Sequence, residues 1–136
     1  MTDDIRISFD IDDLAWTEVS QLYKAAFGYE LSEIKVQRIF SNSYVVCTAH
    51  AGKRLCGAVY AISDHVLDAT IHGLAVHPDF QGKGVATRMM KAILRKLEGI
   101  SILLTTEPEH FGYYRRLGFR KHKATMALRF PEDGVE

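Results

Sequence analysis

A chain of 136 residues, 47% hydrophobic and 25% charged, has the size and composition of one globular domain with a single core. Its 17 Lys and Arg are balanced by 17 Asp and Glu, so net charge supplies no case for nucleic acid or an anionic membrane as partner. No apolar run approaches the ~18 residues of a membrane span, and Met-Thr-Asp-Asp-Ile-Arg lacks the basic and apolar regions of a signal peptide, so the cytoplasm is the expected location.

Ile5 to Phe9 alternates apolar and polar residues, as a half-buried strand does. Asp12 or Asp13 is an N-cap candidate for a helix from Leu14 to about Phe27, with Gly28 as its stop. Ser32 is placed to cap a second helix carrying Ile34, Val36, Ile39 and Phe40. Trp16, Tyr23, Phe27 and Tyr29 are either core or the lining of a substrate groove. Tyr44–His50 and Arg54–Ile62 read as a hairpin around Ala51-Gly52-Lys53. Cys47 and Cys56 fall within these runs and read as reduced structural residues. With six scattered His they form no zinc spacing, and no metal site is expected.

Ser63–Asp68 leads into a strand, Ala69–Val76, which Pro78 cannot continue. Gln81-Gly-Lys-Gly84 follows. The helix from Val85 has Met89, Ala92, Ile93 and Leu97 on one side and Arg88, Lys91, Arg95 and Glu98 on the other, and ends near Gly99. Ile100–Thr105 reads as a central strand, so strand–helix–strand implies a parallel, right-handed crossover. A short helix begins at Glu107-Pro108 and stops at Gly118. One or two strands follow Phe119, including Thr125–Phe130, and 131–136 reads as a frayed tail. No linker or repeat divides the chain, so residues 1–136 read as one domain: a mixed sheet with helices packed on it, α/β or α+β.

A glycine loop feeding a helix N-terminus suits a phosphate-bearing ligand, because the first N–H groups lack intrahelical partners and the helix dipole favours an anion. A nucleotide P-loop needs G-x-x-x-x-G-K-[S/T]. Here Lys83 is followed by Gly84, and His77 stands five before Gly82, so the pattern fails twice. A dinucleotide fingerprint needs a third glycine where Thr87 stands. The third reading is a coenzyme A pyrophosphate loop.

Gln81-Gly-Lys-Gly-Val-Ala86 resembles the Q/R-x-x-G-x-G/A signature of the GNAT superfamily of acyl-CoA N-acyltransferases, and Tyr113-Tyr-Arg-Arg-Leu-Gly-Phe119 resembles its aromatic-Tyr-x-x-x-Gly-Phe segment. The resemblance covers residues 44–120. Ser63-Asp-His65 and Ala69-Thr-Ile71 are similar to a subgroup that includes plant chloroplast serotonin and lysine acetyltransferases. It implies a GNAT fold, with a mostly antiparallel sheet of six to seven strands and about four helices. It implies acetyl transfer from acetyl-CoA to a primary amine in a ternary complex, with no metal, and often a homodimer. A non-catalytic acyl-CoA-binding or sensing module is the alternative of another class.

The resemblance also implies site residues. Backbone N–H groups of Gly82, Lys83, Gly84, Val85, Ala86 and Thr87 would hold the pyrophosphate, with the side chains of Gln81 and Lys83 as helpers. Leu74, Ala75 and Val76 would pair with the pantetheine arm as an added strand does. Tyr114, four before Gly118, would protonate the departing thiolate. An alkyl amine arrives protonated, at a pKa of ~10.4, and needs a base. His72 is the candidate, with water as its competitor, because the strand has no carboxylate. Glu107 stands where the family often has an Asn that touches the coenzyme. Glu107, Asp64 and His65 are therefore candidates for the amine side.

Overall fold

The computed structural model describes residues 4–122 and 125–129. Strand β1 is Ile5–Ser8 and helix α1 is Trp16–Phe27. The helix starts later than Leu14, and neither aspartate caps it. The N–H of Asp12 is taken by Asp10 Oδ1 at 2.9 Å and that of Leu14 by the Ile11 carbonyl at 3.3 Å, which leaves Ala15 at the cap without a side-chain bond. Gly28, at φ +84°, stops α1 as expected. Helix α2, Glu33–Ser41, is capped by Ser32, whose Oγ accepts from the Lys35 N–H at 3.2 Å.

The hairpin follows as β2, Val45–Ala51, and β3, Arg54–Ser63. Strand β4 is Asp68–Val76, helix α3 is Val85–Lys96, and β5 is Ser101–Leu104. A 3-10 turn, Pro78–Phe80, joins β4 to the glycine loop. A second one, Pro108–His110, leads into α4, Phe111–Arg116. By compactness the chain divides into two units, one running through Thr105 and one from Thr106 onward.

In the first unit the sheet order is β1-β2-β3-β4-β5. All neighbours are antiparallel except β4 and β5, which are parallel as the crossover requires. Helices α1 and α2 bury Val19, Leu22, Tyr23, Val36 and Phe40 against Val46, Leu55, Ala58 and Ala75. Helix α3 buries Val85, Met89, Met90 and Ile93, and a Cβ on Gly57 of β3 would lie 2.7 Å from the Met89 terminal methyl. Cys47 and Cys56 are both buried, and burial pushes the Cys47 thiol up to about 12, which suits an inert core residue.

The described residues carry five strands, fewer than the expected six to seven. Of the segment after Phe119 where further strands are expected, residues 123, 124 and 130 lie outside the described residues. Residues 125–129 form no ladder, and the apolar half of their alternation is exposed, Met126 at 99% and Leu128 at 79%. Arg129, at φ +58°, also leaves the extended region. Alternation predicts a strand only where a neighbour pairs with it and a core covers one face. The expected tail, 131–136, lies outside the described residues.

Candidate active site

Strand β4 changes character halfway. From Asp68 to Ile71 it lies between β3 and β5, with Ile71 opposite Ala61 on one side and Leu104 on the other. Beyond Ile71 the pairing with β5 ends, and His72–Val76 pair with β3 alone among the described residues. Among the described residues, no strand pairs with the main-chain groups along that second edge.

A bulge sits at this transition. Tyr60 faces His72 and Ala58 faces Ala75, so two residues of β4, Gly73 and Leu74, stand opposite Val59. Gly73 is left-handed, at φ +62°. Directly paired residues share a face. His72 and Ala75, three apart, therefore share the α1–α2 face, with Ala75 in its core and Tyr60 packed against it. Val76, opposite Gly57, looks toward α3 instead.

After β4 the chain is held in place by short contacts. Gln81 Nε2 donates to the Val76 carbonyl at 3.0 Å, tying the loop back to the strand end. Arg54 donates to Asp79 Oδ2 at 2.7 Å and lies over the Phe80 ring, 5.0 Å from its centroid, while Lys83 Nζ lies 5.4 Å from it. The Arg54 guanidinium beside Asp79 holds its carboxyl below the usual range. Phe80 is buried and anchors the turn. Gly82 and Gly84 are both left-handed, at φ +78° and +79°, and a Cβ on either would meet nothing within 4 Å. Backbone conformation, not space, is therefore what requires glycine there. Arg88 N–H makes the first bond of α3, to the Gly84 carbonyl at 3.1 Å, and the N–H groups of Val85 and Ala86 precede it. The first turn of α3 holds no acidic residue to oppose an anion there.

The His72 ring stacks on Tyr60, with centroids 5.6 Å apart, and its Nε2 lies 2.9 Å from Thr70 Oγ1. Partial burial lowers its pKa, so the ring is neutral and able to accept a proton near pH 7. Around Tyr60 the aromatics run on. Phe40 lies 5.9 Å from Tyr60 and 6.4 Å from Tyr23, Tyr23 stacks on Phe27 at 5.7 Å, and Phe27 stacks on Tyr29 at 5.8 Å. Of the residues read as groove lining, Tyr23 is core, Trp16 is half-buried against Phe40, and Phe27 and Tyr29 are exposed.

The first unit thus carries His72, Leu74–Val76 and the loop Gln81–Thr87 along one run from the middle of β4 to the start of α3. Asp64 and His65 lie at the other end of β4, beyond Asp68, which a strand rise of ~3.3 Å per residue separates from His72 by about 13 Å. The Asp64 carboxylate accepts from the Val66 and Leu67 N–H groups at 2.8 and 2.9 Å, which lowers its pKa, and the His65 ring stacks on Tyr44 at 4.6 Å. Glu107 and Tyr114 belong to the second unit. Glu107 is exposed and accepts the His110 N–H through its carbonyl at 2.9 Å. Tyr114 packs edge-on against Tyr113 and Phe119, with centroids 5.1 and 5.8 Å away. Burial, then Tyr113, raises its pKa, so its hydroxyl stays protonated and can donate. Among the described residues no group of three or more His, Cys, Asp or Glu is placed to hold a metal, and no helix is long and apolar enough to cross a membrane.

Reading the sequence alone missed the bulge, the stacking of His72 on Tyr60 and the Arg54–Asp79 clamp. Only the bulge had a signal: an isolated glycine, Gly73, inside an apolar strand.

Comparison with known proteins agrees with this architecture. Residues 41–121 match the model of the acetyltransferase (GNAT) domain. The chain is 33% identical over 113 residues to the uncharacterized N-acetyltransferase ycf52 of Porphyra purpurea, covering 81% of this chain and 60% of that one. It is 31% identical over 99 residues to the histone acetyltransferase TAP1 of Glycine max, covering 62% of this chain and 43% of that one. It therefore spans about half the length of these relatives. The solved structure of the GNAT-family acetyltransferase SP0256 of Streptococcus pneumoniae superposes with a TM-score of 0.78 at 23% identity, covering 93% of this chain and 100% of that one. The chain is a member of the GNAT acetyltransferase family.

Proposed function

We propose that this chain is an N-acetyltransferase that moves an acetyl group from acetyl-CoA to a primary amine by direct attack in a ternary complex. One observation carries the reading. The half-open strand edge at Leu74–Val76 runs within a few residues into a glycine-capped helix start that suits an anion. The pantetheine arm would pair along the edge, and the pyrophosphate would sit on the N–H groups from Gly82 to Thr87. Gln81, bonded to Val76, acts in this reading by holding edge and loop together.

The amine loses a proton, to His72 or to water. Its nitrogen then bonds the thioester carbonyl carbon, and a main-chain N–H near Val76 stabilises the oxygen as it becomes negative. The C–S bond breaks, the thiolate takes a proton in this reading from Tyr114, and the nitrogen sheds its remaining extra proton to solvent, from which the tyrosinate is reprotonated. Because a thiol has a pKa of ~8.5, that proton helps moderately. On the acceptor side, the exposed stack of Phe27 and Tyr29, continuous through the aromatic cluster to Tyr60 and His72, favours a small amine with a flat arm. The Glycine max relative's name points instead to a histone as acceptor.

An acetyl-CoA turnover screen across arylalkylamines, polyamines and lysine peptides tests the proposal. Thiol release that depends on one amine class is the expected result. Coenzyme binding without turnover on any amine would make the chain a sensor and overturn the enzymatic reading.

A further inference from the structure

We infer that Tyr23 is a positioning residue: its buried hydroxyl holds the β4 bulge in place, and the bulge sets the open edge at Leu74–Val76 against His72. The functional consequence rests on the acetyltransferase reading, whereas the latch itself rests on geometry alone.

Tyr23, on α1, is 2% exposed, and its hydroxyl donates to the Gly73 carbonyl at 2.7 Å. Each group explains the other. A phenylalanine would fill the same space between Phe27 and Phe40, so the hydroxyl adds nothing to packing, and a buried tyrosine hydroxyl needs a partner. Gly73 lies at the bulge in a left-handed conformation, and a carbonyl at such a break in the ladder needs a donor from elsewhere. The fit leaves no room: a Cβ on Gly73 would lie 2.6 Å from Tyr60 Cε1 and 3.0 Å from the Tyr23 hydroxyl. Tyr60 is also the ring on which His72 stacks. One hydroxyl thus fixes the residue between the aromatic shelf under His72 and the edge offered to the coenzyme. If the bulge relaxed by one residue, the side chains of Leu74–Val76 would swap faces and their N–H and C=O groups would swap edges.

The test is Tyr23→Phe in the whole chain, read by amide hydrogen exchange and by calorimetric titration with coenzyme A. Exchange at residues 72–76 should quicken while α3 keeps its protection, and the coenzyme Kd should rise about tenfold, the worth of one buried hydrogen bond. Leu97→Ala, a buried change outside the cluster that holds Tyr23 and Ala75, is the control: it should lower the melting temperature without moving Kd. Gly73→Ala should match or exceed Tyr23→Phe, and the double variant should be no worse than Gly73→Ala alone, since both remove the same contact. Wild-type exchange at 72–76 in folded Tyr23→Phe, or additive effects in the double variant, would overturn the latch. Absence of coenzyme binding by the unaltered protein would instead defeat the functional reading, with the exchange data still deciding the latch.

Discussion

The two halves of β4 are made of similar apolar residues and are put to opposite uses. From Ala69 to Ile71 both edges are paired, and Ala69 and Ile71 are buried. From His72 to Val76 one edge lies open, a left-handed glycine breaks the pleat, and Leu74 and Val76 are half-buried. A strand bonded on both edges spends all its main-chain groups on the sheet and returns stability. A strand bonded on one edge keeps a row of donors and acceptors for a ligand, and stays ordered only because something else holds it. Here that work falls to Tyr23, Gln81 and the pairing with β3.

Substitutions should separate the two halves. The largest effect is expected at the loop that the open half feeds. Gly84→Val forces a β-branched residue to φ +79° where only backbone, not packing, is tight. Acetyl-CoA affinity should fall by about a hundredfold or more with the far-ultraviolet spectrum unchanged. Near-normal calorimetric affinity would detach the loop from coenzyme binding. In the paired half, Ile71→Ala should do the reverse. It should cost about 2–5 kcal/mol in denaturant unfolding and leave the affinity of the folded protein as it was.

Tyr114→Phe should lower kcat by roughly ten- to a hundredfold with little change in coenzyme Kd, since only the proton donor is lost. Equal turnover would remove it as the acid. The smallest expected change is in the pH–rate profile. With its pKa lowered by burial, His72 is deprotonated at neutral pH, so kcat/KM should be flat there and fall only on the acid side of ~6.5. His72→Gln should erase that limb, and an unaltered limb would assign the proton to water. Stability follows the same sign. His72 and His50, the latter shifted down by burial and then by Arg6, bind protons more readily when unfolded. The melting temperature should therefore drop as pH falls through about 6.5.

Much of this was legible in the residues. Helix ends marked by Gly28 and Ser32, the hairpin at Gly52 and the crossover through α3 all announce themselves through local chemistry. So does the anion-ready loop, because glycines before an amphipathic helix act within a few residues. Apart from the cap expected at Asp12 or Asp13, what failed was non-local. The strand expected at Thr125–Phe130 has no ladder over its described residues, 125–129. The bulge depends on a hydroxyl fifty residues away in sequence, and it puts His72 and Ala75 on one face, where alternation would separate them. His72 was visible as a base candidate, but its stacking on Tyr60 and its neutral state come from the sheet register and burial.

The central claim is that acetyl-CoA lies along the open half of β4 and over the start of α3. Amide exchange of the unaltered protein with and without acetyl-CoA tests it most directly. The account predicts slowed exchange at residues 74–76 and 82–87, with 68–71 unchanged because those amides are already bonded within the sheet. Unchanged exchange at both segments under saturating acetyl-CoA, or protection confined to other segments, would contradict it.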